Sequence, residues 1–211
     1  MIKVLIVDDH AIVRRGLREI LNDEPDIEVF EAPDAEQASE MIRESRWDLI
    51  VLDLSLPGKS GLHLLDEVRR DARSIPVLVL SVYPEEQFAV RTLRAGAAGF
   101  LSKDTAAENL VAAIRRILKG QKHISPAVAE MLLMRSDSDD KADSRLHEKL
   151  SNREFQILCL FGRGKTVSGI AKELSISIPT VSTYRARILE KLSMRTTAEL
   201  IRYAIEHQLV A

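Results

Sequence analysis

The sequence predicts an α/β domain built on a doubly wound, five-stranded parallel sheet, followed by a small all-α domain of four helices. Two observations lead to this fold class. Short β-branched segments alternate with helix-periodic segments over residues 3–119, whereas only helix-periodic segments follow residue 148. Strands that alternate with helices indicate a parallel sheet with helices on both faces.

The elements of the first domain follow from the spacing of apolar residues. Val13, Leu17 and Ile20 recur at helical intervals, whereas Val77–Leu80 is a continuous apolar run, typical of a strand buried on both faces. The predicted strands are Lys3–Val7, Ile27–Ala32, Leu49–Leu52, Val77–Ser81 and Gly99–Leu101. The predicted helices are Ala11–Leu21, Ala35–Arg43, Leu62–Asp71, Glu85–Ala95 and Ala106–Lys119.

A polar connector follows the α/β domain. Ser125 and Pro126 are typical of the N-cap and first residue of a short helix, which we expect to end near Met134. Residues 136–144 contain one alanine among eight polar residues and cannot bury enough surface to fold, which indicates a flexible linker. We therefore expect an α/β domain over residues 1–122, a linker helix and flexible linker over 123–147, and an all-α domain over 148–211.

Helix caps mark the elements of the last domain. Ser151 and Glu154 have the spacing of a capping box, so the first helix should begin there. Thr166 should cap the second helix without a reciprocal carboxylate, because Gly169 stands where the partner glutamate would be. The second to fourth helices are predicted at Val167–Leu174, Pro179–Leu192 and Thr197–His207.

Composition excludes several classes of protein. Cys159 is the only cysteine, so the chain has neither an internal disulfide framework nor a thiolate metal site, and we expect this side chain to pack in the core. The longest apolar runs are far shorter than the roughly 18 residues that span a bilayer. The N-terminus runs into Asp8 and Asp9 rather than into a signal peptide. We therefore expect a cytoplasmic protein with no membrane partner.

The net charge of −2 conceals an uneven distribution along the chain. Residues 1–124 carry 17 Lys and Arg against 21 Asp and Glu, a balance of −4, and residues 125–150 carry 4 against 6. Residues 151–211 carry 9 against 5, a balance of +4. The basic last domain is therefore the part of the chain expected to meet a polyanion.

Polar residues follow several of the predicted strands. Asp8 and Asp9 end the first strand, Asp53 the third and Ser81 the fourth, and Lys103 follows the fifth. In a parallel sheet these positions meet at one edge, where the functional crevice lies. Three carboxylates brought together need a cation, and hard oxygen ligands suit Mg²⁺. Taken singly, each acid could instead be a helix cap or a turn residue.

The first domain resembles the receiver domain of bacterial two-component response regulators. The resemblance covers about residues 1–120 and rests on four motifs: Val7-Asp8-Asp9-His10, Val51–Gly58, Val79-Leu80-Ser81 and Gly99–Lys103. It implies a flavodoxin-like fold of the CheY type. A hydrolase of the haloacid-dehalogenase type also uses an aspartate at the end of a strand, but it needs a second acid two residues later, where this chain has Ser55.

The same resemblance implies a role for each residue of the cluster. Asp53 would accept a phosphoryl group from a sensor histidine kinase. Asp9, Asp53 and the backbone carbonyl of Ser55 would hold Mg²⁺, and Asp8 would orient it through water. Lys103 would neutralise phosphoryl oxygens. Ser81 and Phe100 would be the switch pair that moves on phosphorylation, and Ser55 and Tyr83 would tune the phosphoryl lifetime.

The segment Thr166–Arg185 has helix-turn-helix spacing. On a helical wheel its second helix has an inward face of Val181, Tyr184, Ile188 and Leu192. Its outward face is formed by Thr183, Ala186, Arg187 and Glu190, with Ser182 on the flank. Such a small polar surface suits the major groove of DNA. A helical module that binds only protein is the alternative.

The last domain is similar to the LuxR-type DNA-binding domain, and the whole chain is thus identified as a member of the NarL/FixJ subfamily of transcription regulators. The motifs are Leu150–Glu154, Ile170–Leu174, Thr180–Tyr184 and Lys191-Leu192. The resemblance assigns Ser182 and Thr183 to base edges and Thr180, Arg187 and Lys191 to phosphates, with Arg185 reaching a phosphate or a partner acid. Ser182, Tyr184 and Ala186 depart from residues common in the family, so sequence preference cannot be transferred.

The resemblance also implies the partners. They are double-stranded DNA, a sensor histidine kinase, a second copy of the chain on DNA and, as a further candidate, RNA polymerase. In the family, part of the last helix forms the DNA-bound dimer interface. Leu200, Ile201, Ala204 and Ile205 lie on this helix, and their spacing favours internal packing for most of them. The expected function is a non-enzymatic, phosphorylation-controlled transcription regulator.

Overall fold

A computed structural model describes residues 1–57, 61–70, 75–82, 85–136, 146–207 and 209–210. The chain divides into two compact units, Met1–Leu132 and Leu133–Ala211. Tyr83, which is predicted to tune the phosphoryl lifetime, lies outside the described residues. Residues 137–144 of the predicted linker also lie outside them. Among the described residues, no helix is both long and apolar enough to cross a membrane.

The first unit contains the predicted parallel sheet, with strand order β2-β1-β3-β4-β5 in the part of the chain that the structure describes. The strands are β1 (Ile2–Val7), β2 (Ile27–Ala32), β3 (Leu49–Asp53), β4 (Val77–Ser81) and β5 (Gly99–Ser102). Their register pairs Val7 with Leu52, Asp53 with Leu80, and Ser81 with Ser102. The carboxyl ends of these strands therefore form one edge, as the doubly wound fold requires.

Helices pack on the sheet because their apolar residues recur at helical spacing. They are α1 (Ala11–Asn22), α2 (Ala35–Glu44), α3 (Gly61–Arg70), α4 (Glu85–Arg94) and α5 (Ala106–Leu118). Leu17 and Leu21 of α1 and Leu110 and Ile114 of α5 are buried in one core cluster with alternate residues of β1, β3 and β4. The predicted helices are confirmed, with bounds that differ by at most one residue at either end.

The chain after α5 returns along the free edge of β5. Gly99 and His123 form an isolated parallel bridge, in which the amide of Phe100 donates to the carbonyl of His123 at 3.0 Å. Ser125 then caps α6 (Pro126–Ser136), its hydroxyl accepting from the amide of Val128 at 3.2 Å. The predicted cap is confirmed, and the helix extends two residues beyond Met134.

The second unit is helical in the part that the structure describes. Its helices are α7 (Asn152–Gly162), α8 (Val167–Glu173), α9 (Ile178–Lys191) and α10 (Thr197–Glu206), preceded by a 3-10 turn at Leu146–Lys149. The capping box of Ser151 and Glu154 is confirmed, and the Thr166 hydroxyl caps α8 by accepting from the Gly169 amide. Cys159 is buried in α7, as predicted.

Candidate functional site

Three carboxylates meet at the carboxyl edge of the sheet. Asp8 follows β1 and Asp53 ends β3, and both residues are only 1% exposed, whereas Asp9 is half-buried. One ligand atom from each of Asp8, Asp9, His10 and Asp53 can be chosen so that all lie within 4.8 Å of one another. The sequence-based prediction that these acids converge is therefore confirmed in the geometry.

Lys103 provides the positive charge that faces these acids. Its Nζ lies 2.6 Å from Oδ2 of Asp8 and 2.7 Å from Oδ2 of Asp53, and its side chain is only 10% exposed. Burial raises the pKa of Asp53, and the Asp8 carboxylate raises it further against the opposing effect of Lys103. Burial alone would lower the pKa of Lys103, but Asp53 and Asp8 together raise it. The ammonium is therefore held in its charged form.

Backbone amides fix the orientation of the two buried carboxylates. The Ser55 amide donates to Oδ1 of Asp53 at 3.0 Å, and the His10 amide donates to Oδ1 of Asp8 at 2.8 Å. Each aspartate thus has one oxygen held by the turn that follows it and the other on Lys103. This arrangement positions the carboxylates before any ligand binds.

Ser81 and Phe100 occupy the neighbouring strands β4 and β5. Ser81 ends β4 and is fully buried, and Phe100 is 1% exposed. Ser81 lies on β4, which pairs with β3, the strand that carries Asp53, and Phe100 lies on β5, on the far side of β4.

Two residues at this edge were given no role by the sequence reasoning. Nδ1 of His10 lies 2.8 Å from Oδ1 of Asp9, and the guanidinium of Arg14 donates to the backbone carbonyl of Asp8 at 2.5 Å. Their positions depend on how the chain turns from β1 into α1. The only sequence signal for them is proximity: His10 follows the two aspartates directly, and Arg14 lies one helical turn later.

The second unit presents the N-terminal half of α9 on its surface. Ser175 adopts a left-handed conformation, with φ of 50°, in the turn between α8 and α9. Val181, Ile188 and Leu192 are buried as predicted, whereas Tyr184 is only half-buried. The exposed residues of α9 are Ile178, Pro179, Ser182, Thr183, Ala186, Arg187, Glu190 and Lys191.

Several side chains predicted to contact DNA have partners within the domain. The Thr183 hydroxyl donates to the Pro179 carbonyl at 3.0 Å, and Thr180 Oγ1 lies 2.7 Å from Ser177 Oγ. Arg185 donates to Thr197 Oγ1 at 2.7 Å, at the start of α10. Nζ of Lys191 lies 2.7 Å from Oε2 of Glu154, a buried residue of α7.

Comparison with known families assigns each unit. The family model for the response regulator receiver domain matches residues 4–115, and that for the luxR family of bacterial regulatory proteins matches residues 148–204. The chain belongs to the NarL/FixJ subfamily of response regulators. The predicted fold class is confirmed, and the family is one of transcription regulators rather than enzymes. In this response regulator, Asp8, Asp9 and Asp53 form an acidic pocket of the kind that holds Mg²⁺.

Relatives align with this response regulator over almost its whole length. The response regulator GacA of Pseudomonas aeruginosa is 38% identical over 100% of this chain and 98% of its own. The response regulator UvrY of Escherichia coli is 36% identical over 99% of this chain and 96% of its own. Both units are therefore shared in the same order.

Solved structures of similar proteins support the same architecture. RcsB in complex with DNA has 28% identity and a TM-score of 0.59, over 96% of this chain and 96% of its own. RcsB of Salmonella enterica serovar Typhimurium, bound to a promoter in the presence of the phosphomimetic BeF3⁻, has the same identity and TM-score over 96% and 97% of the two chains. ChrA, the response regulator of a heme-sensing two-component system, has 32% identity and a TM-score of 0.51 over 99% and 98%.

Proposed function

We propose that Asp53 is the phosphoacceptor of a phosphorelay and that a sensor histidine kinase supplies the phosphoryl group. The observation that carries this proposal is the position of Nζ of Lys103, which bridges Asp8 and Asp53 in a buried pocket. An oxygen of Asp53 attacks the phosphorus of a phosphohistidine, and the P–N bond breaks. The imidazole leaves with the bonding electrons and takes up a proton, and an acyl phosphate remains on Asp53. Lys103 neutralises phosphoryl oxygens at this position.

The pocket chemistry fits Mg²⁺. Among the described residues, the carboxylates of Asp8, Asp9 and Asp53 lie close together, Lys103 pairs with two of them, and their oxygens are hard donors. In our proposal Asp9, Asp53 and the backbone carbonyl of Ser55 hold the ion, and Asp8 acts on it through water. Bound Mg²⁺ would supply positive charge to the phosphoryl oxygens. Ser81 and Phe100 then respond to the new phosphoryl group as the switch pair.

We propose that α9 enters the major groove of double-stranded DNA. This is supported by its exposed N-terminal face and by the +4 balance of residues 151–211. Ser182 and Thr183 lie nearest the base edges. Thr180, Arg185, Arg187 and Lys191 lie nearer the phosphates, with Thr166–Arg185 as the helix-turn-helix. Arg187 is exposed and is our main candidate for a phosphate contact.

Phosphorylation controls dimerisation and promoter binding in this proposal. Phospho-Asp53 stabilises a minor conformation of the receiver, which raises the population of DNA-binding dimers. We assign residues 1–122 to the receiver, 123–147 to the linker and 148–211 to the DNA-binding domain. In this proposal the protein binds DNA as a homodimer in the cytoplasm. RNA polymerase is a further partner.

Phosphoryl uptake tests the first part of this function. The full chain, supplied with Mg²⁺ and a small-molecule phosphodonor, should gain one phosphoryl group by intact-mass spectrometry. Asp53→Asn should remove the label, because an amide oxygen is a poor nucleophile. Asp23→Asn, a change of the same kind at an exposed residue, should keep it. Undiminished labelling of the Asp53 variant would contradict the assignment.

Selection of bound fragments from random DNA tests the second part. The full chain is used with and without phosphodonor and Mg²⁺, and enriched duplexes are then titrated at several salt concentrations. Duplex binding should weaken steeply as salt rises, because phosphate contacts release counterions. Arg187→Ala should weaken binding and reduce the salt slope by about one. A module that binds only protein would retain no duplex at low salt.

A further inference from the structure

We propose that the N-terminal half of α9 recognises thymine methyl groups through an apolar surface, with Ile178 as its main contact. This inference rests on the proposed function, in that α9 must bind duplex DNA. We define the apolar surface as the side chains of Ile178, Pro179 and Ala186 and the methyl group of Thr183. All four residues are exposed.

The exposure of Ile178 is the first observation. It is 53% exposed, although Val181 and Ile188 of the same helix are completely buried. A single exposed aliphatic residue is common on protein surfaces. Here, however, two other exposed residues of α9, Pro179 and Ala186, also have no polar side-chain group. The exposed side of the first part of α9 therefore carries three apolar side chains, those of Ile178, Pro179 and Ala186.

Hydrogen bonding within the domain makes this surface more apolar than the sequence suggests. The Thr183 hydroxyl donates its proton to the Pro179 carbonyl at 3.0 Å, so it has no proton to offer a base and its methyl group remains for contact. The long side chain of Arg185 is directed to Thr197 Oγ1. Ser182 is the polar member of this face, and its hydroxyl has no partner among the described residues.

The chemistry of the major groove determines what such a surface can recognise. Guanine and adenine are read most selectively by long side chains that donate or accept in pairs, namely Arg, Lys, Asn and Gln, whereas Ser and Thr can bond to either base. No exposed position between Ile178 and Ala186 carries one of these residues. The thymine C5-methyl is the group in the groove that an apolar side chain can distinguish. The basic balance of the domain supplies attraction to DNA, and the apolar surface supplies the preference for thymine.

Replacement of thymine by deoxyuridine isolates the methyl group. A duplex enriched by selection is synthesised with deoxyuridine at one thymine position at a time, which preserves base pairing and the O4 acceptor. The full chain should bind about fourfold more weakly for each contacted methyl, since a buried CH₂ or CH₃ contributes roughly that factor. In Ile178→Ala the penalty at the position that Ile178 contacts should disappear. Ile12→Ala, at an exposed isoleucine of α1, should keep it.

The possible outcomes separate the inference from the proposed function. Duplex binding with equal affinity for thymine and deoxyuridine at every position would overturn the thymine contact and leave DNA binding intact. A penalty that is unchanged in Ile178→Ala, with circular dichroism showing native helix content, would overturn the role of Ile178. The absence of duplex binding under any condition would overturn both proposals. An enriched sequence without thymines in the contacted positions would also overturn the inference.

Discussion

The ammonium nitrogen of Lys191 lies 2.7 Å from Oε2 of Glu154, and this ion pair joins the C-terminal end of α9 to the capping box of α7. The same carboxylate oxygen accepts from the Ser151 amide at 2.6 Å. Glu154 is 3% exposed, so its negative charge depends on these partners. A DNA phosphate would therefore compete with Glu154 for Lys191.

We predict that Lys191→Met lowers the free energy of unfolding of the second unit by about 2 kcal/mol, because Glu154 loses a charged hydrogen-bond donor. Urea unfolding of the full chain should be followed by circular dichroism and by tryptophan fluorescence. The single tryptophan, Trp47, lies in the first unit and reports that unit alone. Only the circular dichroism transition should move to lower urea.

An exposed lysine of α8 provides the control for this experiment. Lys172→Met should change the free energy of unfolding by less than about 0.5 kcal/mol, as is usual for surface substitutions. If Lys191→Met leaves both transitions in place and instead lowers DNA affinity and its salt slope, Lys191 is a phosphate contact and its pairing with Glu154 contributes little to stability.

The same ion pair predicts a pH dependence. Burial alone would raise the pKa of Glu154, but hydrogen bonds from Lys191 and Ser151 hold it below its ordinary value of 4.5. An acid with a lowered folded-state pKa contributes stability above its unfolded pKa, and this contribution is lost as pH falls through the folded pKa. We expect the second unit to be less stable in Glu154→Gln than in wild type at pH 7, and the difference to shrink below about pH 4.5. A difference independent of pH would contradict this.

The sheet-edge pocket could be predicted from sequence because strand ends determine it. Parallel strands share one carboxyl edge, so the position of Asp8, Asp53 and Lys103 at or just after the end of a strand is sufficient to bring them together. His10 and Arg14 could not be assigned, since their contacts depend on the direction in which α1 leaves β1. No periodicity in the sequence reports that direction.

In the second unit, the sequence predicted the helix caps but not the side-chain partners within the domain. Capping is local, so Ser151 and Glu154 could be paired from their spacing alone. Lys191 and Glu154 are 37 residues apart, and their contact depends on how α7 packs against α9. The wheel also placed Tyr184 on the inward face of α9, where it is half-buried, whereas Val181 and Ile188 on the same face are completely buried.

Gly61 is required by the close approach of α3 to the end of β3. A Cβ atom at this position would lie 2.0 Å from the carbonyl oxygen of Asp53 and 2.9 Å from Cα of Leu54. We predict that Gly61→Ala lowers the free energy of unfolding of the first unit by about 3 kcal/mol, because the backbone that carries Asp53 must move. Trp47 fluorescence in urea measures this change, and phosphoryl uptake should fall as well.

The matched control is Gly16→Ala in α1. A Cβ atom there meets nothing within 4 Å, so alanine should raise the free energy of unfolding by about 1 kcal/mol through its helix propensity. Opposite signs for two glycine-to-alanine changes in one domain would separate the steric effect from the general effect of alanine. Unchanged stability of Gly61→Ala would mean that α3 can shift without cost.

Mg²⁺ should stabilise the first unit if the three carboxylates hold it. A ligand that binds only the folded state raises the free energy of unfolding by RT ln(1 + [L]/Kd), which is about 1.4 kcal/mol at a free concentration ten times Kd. The midpoint of Trp47 unfolding in urea should therefore rise with MgCl₂ and return to its starting value when EDTA is added.

Asp9 provides the variant that tests where the ion binds. Asp9 is half-buried and pairs with His10, whereas Lys103 pairs with Asp8 and Asp53, so Asp9→Asn should leave the two ion pairs of Lys103 in place. It should abolish most of the Mg²⁺-dependent rise, whereas Asp104→Asn, an exposed acid beyond β5, should retain it. Equal stabilisation of wild type and Asp9→Asn by Mg²⁺ would place the ion elsewhere, since a site that lacks one of its carboxylates must bind a divalent cation more weakly.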